Sequence, residues 1–282
     1  MSTYNQLMHS YQKEFNEKEL SLETIKLFLF ELCNEKDINL YIELDNEADK
    51  ELEDKFHKGI QRLLNDEPLN YVLGYSYFYG YKMVVNKDVL IPRFETEELV
   101  GLILSKTDEY YKDNKKIVAC DIGTGSGAIA IALKKEEGKF EMHASDISLE
   151  AIEVAKLNAK NNDAEIDFFL GDMLEPIKER NIKLDVLISN PPYIPQEEEM
   201  EKSVVDYEPH VALFGGDDGL KFYRTLLSGA KDVMKEHGLI FFEIGYNQKK
   251  NMIELAKQYF KDATIEVLKD INKKDRMFFL KF

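Results

Sequence analysis

Residues 116–127 read KIVACDIGTGSG and join a short apolar segment to a glycine-rich turn. The segment KIVACDIG predicts a buried strand, and GAIAIALKKEE (residues 127–137) predicts the helix that follows at once. Glycine at alternate positions lets the backbone turn tightly and lets a ligand approach it closely. A strand that turns directly into a helix is typical of α/β sheets, in which ligands bind beyond the carboxyl ends of the strands.

The same alternation of strands and helices continues downstream. Further strands are predicted at residues 140–146, 165–172, 184–190, 238–245, 264–270 and 276–282. Helices are predicted at residues 148–160, 218–236 and 248–260. This order predicts an α/β fold with a mostly parallel sheet and helices on both faces.

The chain before this region has a different pattern. Residues 1–75 predict a small helical bundle, in which the apolar residues 52, 56, 60 and 63 share one helix face. Residues 76–93 are rich in aromatic and β-branched side chains and predict a β-hairpin linker. Residues 94–282 form the predicted α/β domain, which opens with a helix for which Thr96 is the expected N-cap.

Composition limits the classes of function. The 282 residues carry a net charge of -16, which argues against a nucleic acid as direct substrate, because such proteins cluster Lys and Arg on the phosphates. The charge is compatible with a basic protein partner or a small ligand. The two cysteines lie far apart and the histidines are scattered, so no disulfide or metal site is predicted. Without a recognisable signal peptide or membrane span, the sequence predicts a cytoplasmic protein.

The turn after the first strand differs from that of a dinucleotide site. It reads G-x-G-x-G over Gly123, Thr124, Gly125, Ser126 and Gly127, whereas the dinucleotide pattern is G-x-G-x-x-G. The acid two residues before it, at position 121, would repel a pyrophosphate but can receive an ammonium group. A tight turn without a ligand is the alternative reading of this motif.

Acids also follow the next two strands. Asp146 lies about twenty residues past the glycine turn, where a carboxylate can accept both hydroxyls of a ribose, although it could equally cap the next helix. Asp172 can accept a hydrogen bond from an exocyclic amine, and Met173 can pack on a flat ring. Together with Asp121 and the glycines, these residues describe a nucleoside without phosphates. The predicted cofactor is S-adenosylmethionine, with S-adenosylhomocysteine as the product.

The fourth strand runs into residues 188–195, ISNPPYIP, and two prolines cannot continue a strand. A planar nitrogen needs acceptors for its N–H groups and a flat surface beside it before it can attack a methyl group. Asn190 supplies a side-chain oxygen, Pro191 supplies a carbonyl, and Tyr193 supplies a ring. Pro191 and Pro192 stiffen the backbone so that these acceptors are preorganised. The alternative is a stiff turn without chemistry.

These motifs resemble the HemK/PrmC family of glutamine-N5 methyltransferases, which modify peptide chain release factors. The resemblance rests on DIGTGSG, SDIS, GDM and NPPYIP, and on the flanking segments EPLNYVLGYSYFYG, VLIPRFETEELV, YEPHVALFGGDDGLKFYR and EIGYNQ. It implies a seven-stranded, Rossmann-like class I methyltransferase domain behind an N-terminal helical domain. It implies that residues 123–127, Asp146, Met173 and Asn190 line the cofactor and that residues 190–193 hold the glutamine of a Gly-Gly-Gln loop.

One departure and several alternatives remain open. Phe94 stands where the family usually carries a second proline, and the sequence assigns it no role. The alternative functions are a glutamine methyltransferase for a ribosomal protein and an adenine-specific DNA methyltransferase, which would need base flipping and a basic track. A binding module that has lost turnover is a further alternative, but all the motif residues are intact.

Overall fold

The computed structural model describes residues 1–198, 200 and 202–282. The helices are α1 Tyr4–His9, α2 Gln12–Glu17, α3 Leu22–Asn34, α4 Lys50–Leu63, α5 Leu69–Leu73, α6 Phe94–Tyr111, α7 Ala128–Glu136, α8 Leu149–Asn161, α9 Glu175–Glu179, α10 Lys202–Tyr207, α11 Lys221–Val233 and α12 Lys249–Tyr259. The strands are β1 Tyr75–Phe78, β2 Tyr81–Val84, β3 Ile117–Ile122, β4 Phe140–Asp146, β5 Ile166–Leu170, β6 Leu184–Ser189, β7 Met234–Glu243, β8 Thr264–Lys269 and β9 Asp275–Lys281. None of the helices in the described part of the chain combines the length and apolar content that crossing a membrane requires.

The described residues form two compact units, and the first contains residues 1–75 together with α10. Its core lies where the apolar faces of α3 and α4 meet, and the predicted face of α4 is confirmed because all four of its apolar residues are buried. The rings of Phe28 and Phe56 stack there with centroids 5.8 Å apart. A Cβ atom at Gly59 would lie 2.1 Å from the Phe28 ring, so only glycine lets these helices approach so closely.

The strands β1 and β2 pair as a two-stranded sheet. Tyr79 and Gly80 at its turn both have positive φ values, 51° and 81°, as a two-residue hairpin turn requires. The fully buried Asn158 of α8 accepts a hydrogen bond from the Val84 N–H at 2.6 Å and donates to the carbonyls of Val84 and Ser126. One side chain therefore ties the end of this hairpin to the glycine-rich turn.

The second unit is built on a seven-stranded sheet with the order β5-β4-β3-β6-β7-β9-β8. The strands from β3 to β7 are parallel, whereas β9 is antiparallel to both of its neighbours. The order reverses between β3 and β6, since β4 and β5 lie on one side of β3 and β6 and β7 on the other. Ligands bind at such a reversal point in open α/β sheets. This architecture confirms the predicted α/β class and the seven strands that the family resemblance implied.

The central strands are buried on both faces, which explains their continuous apolar sequences. Val186 and Ile188 of β6 belong to one apolar cluster, while Leu187 between them belongs to the cluster on the opposite face. Helices cover both faces of β6. Apart from the buried Asp185 near its start, the polar side chains of this segment lie at its carboxyl end, Ser189 and Asn190.

The start of α6 differs from the sequence prediction. The helix begins at Phe94, so Thr96 lies inside its first turn and its prediction as the N-cap is wrong. The Thr96 side chain is buried, and its hydroxyl donates instead to the carboxylate of Glu243, 147 residues later in the chain. The Thr96 hydroxyl therefore binds a carboxylate distant in sequence instead of the local backbone N–H groups that a helix cap binds. Phe94 itself is 63% exposed.

Candidate active site

A cavity of about 360 Å³ lies at the carboxyl ends of β3, β4, β5 and β6. The sequence-predicted residues in its wall are Gly123, Thr124, Gly125, Ser126, Asp146, Asp172, Met173, Asn190 and Pro192. Four of the predicted residues, Asp121, Gly127, Pro191 and Tyr193, are not part of that wall. The structure thus gathers residues from four strand ends around one cavity, as the parallel sheet requires.

The glycine turn forms an open cradle in this wall. Gly123 and Gly125 have φ values of 73° and 54°, and a Cβ atom on either would meet nothing within 4 Å. Their missing side chains therefore leave free space beside the backbone, where a ligand can approach it. Gly127 acts differently, because a Cβ atom there would lie 3.1 Å from the Cβ of Ala155. Its role is the close packing of α7 against α8.

Asp121 lies directly beneath this cradle and is 1% exposed. Its Oδ2 accepts a hydrogen bond from the Thr124 hydroxyl at 2.7 Å, whereas its Oδ1 has no partner among the described residues. The pKa of Asp121 is raised to about 7, mainly by burial; the bond from Thr124 opposes the shift, and the neighbouring charge of Asp146 adds to it. A buried carboxylate oxygen without a donor is costly, so this position fits a cationic group.

The buried charge at position 121 predicts a pH-dependent stability. The pKa of the Asp121 carboxyl group is about 7 in the folded protein, against an ordinary value of 3.8. Protonation of this group therefore stabilises the fold, and that stabilisation is fully present below pH 3.8 and lost as pH rises through 7. We expect Asp121→Asn to raise the melting temperature of the cofactor-free protein at pH 8 and to raise it less at pH 5. Thermal unfolding at both pH values measures this, and an equal shift at both would contradict it.

Asp146 ends β4 and holds the turn in place with both of its carboxylate oxygens. Oδ2 accepts from the Gly125 N–H at 2.9 Å, and Oδ1 accepts from the Ser148 N–H at 3.0 Å. Ser148 caps α8 through the Ala151 N–H, so the alternative reading of Asp146 as the helix cap is wrong. Burial raises the pKa of Asp146, and these backbone hydrogen bonds oppose the shift. Each oxygen retains acceptor capacity for a pair of hydroxyls.

The end of the cavity that lies beyond β4 and β5 carries two large apolar side chains. Met173 lies in its wall with a positive φ of 44°, an uncommon conformation for a residue other than glycine. Ile147 also lines the cavity although it is 54% exposed, which leaves a large apolar side chain available to a flat ring. Ile147 was not among the residues predicted from the sequence, although its position directly after Asp146 was a usable signal. Asp172 completes this end of the wall.

Asn190 follows β6 and reaches the cavity beside the glycine turn. Its Nδ2 donates to the hydroxyl oxygen of Thr96 at 3.4 Å, and that hydroxyl donates to Glu243 Oε2 at 2.6 Å. The nitrogen side of the amide is therefore engaged with protein, which leaves Oδ1 as an acceptor. Thr96 lines the cavity as well and was missed as a site residue, because its partners are distant in sequence.

Tyr193 is not part of the cavity wall, and several contacts fix its position. Its hydroxyl donates to Glu243 Oε1 at 3.3 Å and accepts from Arg276 at 3.2 Å, and its ring packs against the apolar cluster around β7. Burial raises the pKa of Tyr193, and the charge of Glu243 raises it further, while Arg276 opposes the shift. Its backbone carbonyl accepts from the buried Gln248 side chain at 3.0 Å. Tyr193 thus belongs to the same short motif as Asn190, but its hydroxyl is engaged by the buried Glu243.

Other residues of the wall come from segments that the motif analysis did not assign. They are Phe78, Asp88, Val89, Leu90, Pro92, Arg93, Pro209, Val211, Ala212, Lys221, Phe222 and Thr225. Arg93 pairs with Glu208, whose other carboxylate oxygen has no partner among the described residues. Most of these positions lie in the flanking segments that carried the family resemblance, which was the available signal. Phe94 is not part of the wall.

The sheet order and the cavity at its reversal point define an S-adenosylmethionine-dependent methyltransferase of the class I fold. The family model described as "Methyltransferase small domain" matches residues 102–207, and the one described as "PrmC N-terminal domain" matches residues 6–74. The chain belongs to the release factor glutamine methyltransferase family. It is 43% identical over 244 residues to the Bacillus cereus release factor glutamine methyltransferase, covering 86% of this chain and 84% of that protein.

Two further matches agree with this family and this fold. The release factor glutamine methyltransferase of Streptococcus pneumoniae is 38% identical over 275 residues, and the match covers 96% of each chain. A methyltransferase structure from Pyrococcus furiosus matches with a TM-score of 0.50 at 16% sequence identity, covering 79% of this chain and 98% of that one. The structural match supports the fold, and the sequence matches establish the family.

Proposed function

We propose that this protein transfers a methyl group from S-adenosylmethionine to the side-chain nitrogen of the glutamine in the Gly-Gly-Gln loop of peptide chain release factors. S-adenosylhomocysteine is the second product, and the reaction takes place in the cytoplasm. The observation that carries the proposal is the Asn190 amide, held by its nitrogen so that Oδ1 is available beside the glycine cradle. The curated relatives named for this reaction match most of the chain.

The residues of the cavity fit the cofactor. Gly123 and Gly125 leave open space for its amino-acid part, and the unpartnered Oδ1 of Asp121 suits an ammonium group. Asp146 would accept the ribose hydroxyls, and Met173 with Ile147 would pack on the adenine. When bound, the cofactor supplies an electrophilic methyl group on a sulfonium.

The chain itself would hold and orient the acceptor. An amide nitrogen is a weak nucleophile because its lone pair is delocalised, so the site must fix its plane and direction. The Asn190 oxygen and the Pro191 carbonyl would accept the two N–H groups of the glutamine, and Tyr193 is predicted to flank its plane. Alignment of two bound reactants can contribute about 7–11 kcal/mol to lowering a barrier. Methyl transfer would leave one surplus proton on the nitrogen, and the strongly acidic N-methylated amide would release it to water, so no strong general base is required.

The role of Asp146 predicts a loss of cofactor affinity. We expect Asp146→Ala to weaken the binding of S-adenosylhomocysteine by about 10–100-fold, because hydrogen bonds to a charged group contribute about 1.5–3 kcal/mol. Titration calorimetry measures this directly, without turnover. Glu150→Ala, an exposed site four residues along the chain, is the matched control and should bind as the wild type does. Unchanged affinity of Asp146→Ala would contradict the assignment.

The alternative acceptors are less well supported. The relatives at 36–43% identity are named for release factors rather than for ribosomal proteins or DNA. A net charge of -16 also disfavours a duplex DNA substrate and favours a basic partner surface. The family match and the intact motif residues argue against a binding module without turnover.

The proposal is tested by offering three acceptors side by side with radiolabelled cofactor. A purified release factor, a ribosomal protein mixture and duplex DNA are incubated with the enzyme and then separated. We expect label on the release factor alone. Label on a ribosomal protein or on DNA, with none on the release factor, would keep a methyltransferase but overturn the proposed acceptor.

A further inference from the structure

A buried carboxylate at the end of β7 has no part in the function proposed so far. Glu243 is 2% exposed, and each of its side-chain oxygens accepts one hydrogen bond. Oε2 accepts from the Thr96 hydroxyl at 2.6 Å, and Oε1 accepts from the Tyr193 hydroxyl at 3.3 Å. Thr96 in turn accepts from the Asn190 amide. One carboxylate therefore connects both polar ends of the Asn-Pro-Pro-Tyr motif.

The chemistry of these groups fixes which atom donates and which accepts in each of these hydrogen bonds. An ionised carboxylate can only accept, so the single hydroxyl hydrogen of Thr96 is committed to Glu243. The hydroxyl oxygen of Thr96 can then only accept from Asn190, which must present its N–H group there. The opposite amide orientation would place Oδ1 against an oxygen that has no hydrogen to donate. Glu243 thereby excludes the flipped amide.

We propose that Glu243 is a positioning residue that acts through Thr96 to keep Oδ1 of Asn190 turned toward the acceptor nitrogen. This inference deepens the proposed function and rests on it. A carboxylate imposes this direction, whereas a neutral side chain would not. Glutamine, for example, offers an N–H donor on one side and loses one of the two acceptors.

The surroundings of Glu243 are arranged around a charged group. The guanidinium of Arg276 on β9 lies nearby and is held by the Ile244 carbonyl and the Asp270 carboxylate. Burial raises the pKa of Glu243, while the bond from Thr96, the charge of Arg276 and the bond from Tyr193 oppose the shift, and Glu95 on α6 adds to it. A buried carboxylate with a cation and two donors is consistent with a preorganised acceptor.

The inference is tested by a double-mutant cycle on the turnover number, kcat. We expect Glu243→Gln to lower kcat by about 10–100-fold, because a shift of about 1 Å at reacting groups can cost about 10²-fold, with the KM for S-adenosylmethionine close to wild type. If Glu243 acts through Asn190, then adding Glu243→Gln to Asn190→Ala lowers kcat no further. If Glu243 only supported the fold, the losses in kcat of the two single variants would multiply in the double variant.

A second set of variants tests the same path without altering the buried charge, should Glu243→Gln fail to fold. Thr96→Val removes the hydroxyl and should lower kcat as Glu243→Gln does, whereas Thr96→Ser keeps the hydroxyl and should restore it. Thr107→Val is the matched control, because Thr107 is a buried threonine of the same helix that donates to the Ile103 carbonyl away from the cavity. It should leave kcat unchanged.

The outcomes distinguish a failure of the positioning role of Glu243 from a failure of the proposed methyl transfer. Multiplying losses in the cycle, or equal kcat values for Thr96→Val and Thr96→Ser, would overturn the positioning role while the wild type still methylates glutamine. A wild-type enzyme that methylates no glutamine in a release factor would overturn the proposed function and this inference with it.

Discussion

Replacement of Asn190 by alanine is expected to lower kcat by about 10²–10³-fold, the cost of losing one preorganised transition-state contact. The fold should remain intact, because the side chain makes one long hydrogen bond to Thr96 and its loss opens no apolar core. The defect should lie in the chemical step, since the acceptor nitrogen loses the oxygen that fixes its plane. Single-turnover methyl transfer with labelled cofactor measures this rate.

The control for this prediction is Asn161→Ala, which removes an exposed amide at the end of α8. It should leave both kcat and the melting temperature unchanged. If Asn190→Ala retained full activity, the account of how the amide nitrogen is held would be wrong. If it lost activity together with its fold, thermal unfolding would reveal that the defect is structural.

The second large effect is expected at Gly219, which packs against the backbone of the Asn-Pro-Pro-Tyr motif. A Cβ atom there would lie 2.2 Å from the Tyr193 carbonyl oxygen, and its φ of 71° favours glycine. We expect Gly219→Ala to lower kcat by about 10²-fold, because a shift of about 1 Å at reacting groups has that effect. Steric overlap with the backbone should also cost about 1–3 kcal/mol of folding free energy.

A matched glycine, Gly80, separates the steric overlap with Tyr193 from the cost of placing alanine in a left-handed conformation. Gly80 at the turn between β1 and β2 has a φ of 81°, but a Cβ atom there would meet nothing within 4 Å. Gly80→Ala should lose about 1–2 kcal/mol of stability for the left-handed conformation and should keep its activity. Chemical denaturation and kcat are measured for both variants. Equal effects of the two would show that contact with Tyr193 does not matter.

Much of the fold could be predicted because its signals are local. The apolar segments that become β3, β4, β5 and β6 end in polar residues, and a parallel sheet brings those ends together. The glycine turn, Asp146 and Asn190 therefore fall around one cavity, as the order along the chain predicted. The alternation of strands and helices was sufficient to predict the sheet because each element has its own periodicity.

The remaining features depend on contacts between distant segments. Thr96 has the residue type of a helix cap, yet it lies inside the first turn of α6 and its hydroxyl binds Glu243. The sequence likewise predicts a ring stacked on the acceptor at Tyr193, but it does not predict the buried carboxylate that the hydroxyl binds. Local patterns report which residues are polar, but not which partner they select once the chain is folded.

The central claim is that the methyl group goes to the glutamine side chain of a release factor. The most direct test is tandem mass spectrometry of the release factor after reaction with the enzyme and S-adenosylmethionine. The account predicts a mass increase of one methyl group, located on the glutamine of the Gly-Gly-Gln loop and absent with Asn190→Ala. An unmodified glutamine, or a methyl group on any other residue, would contradict it.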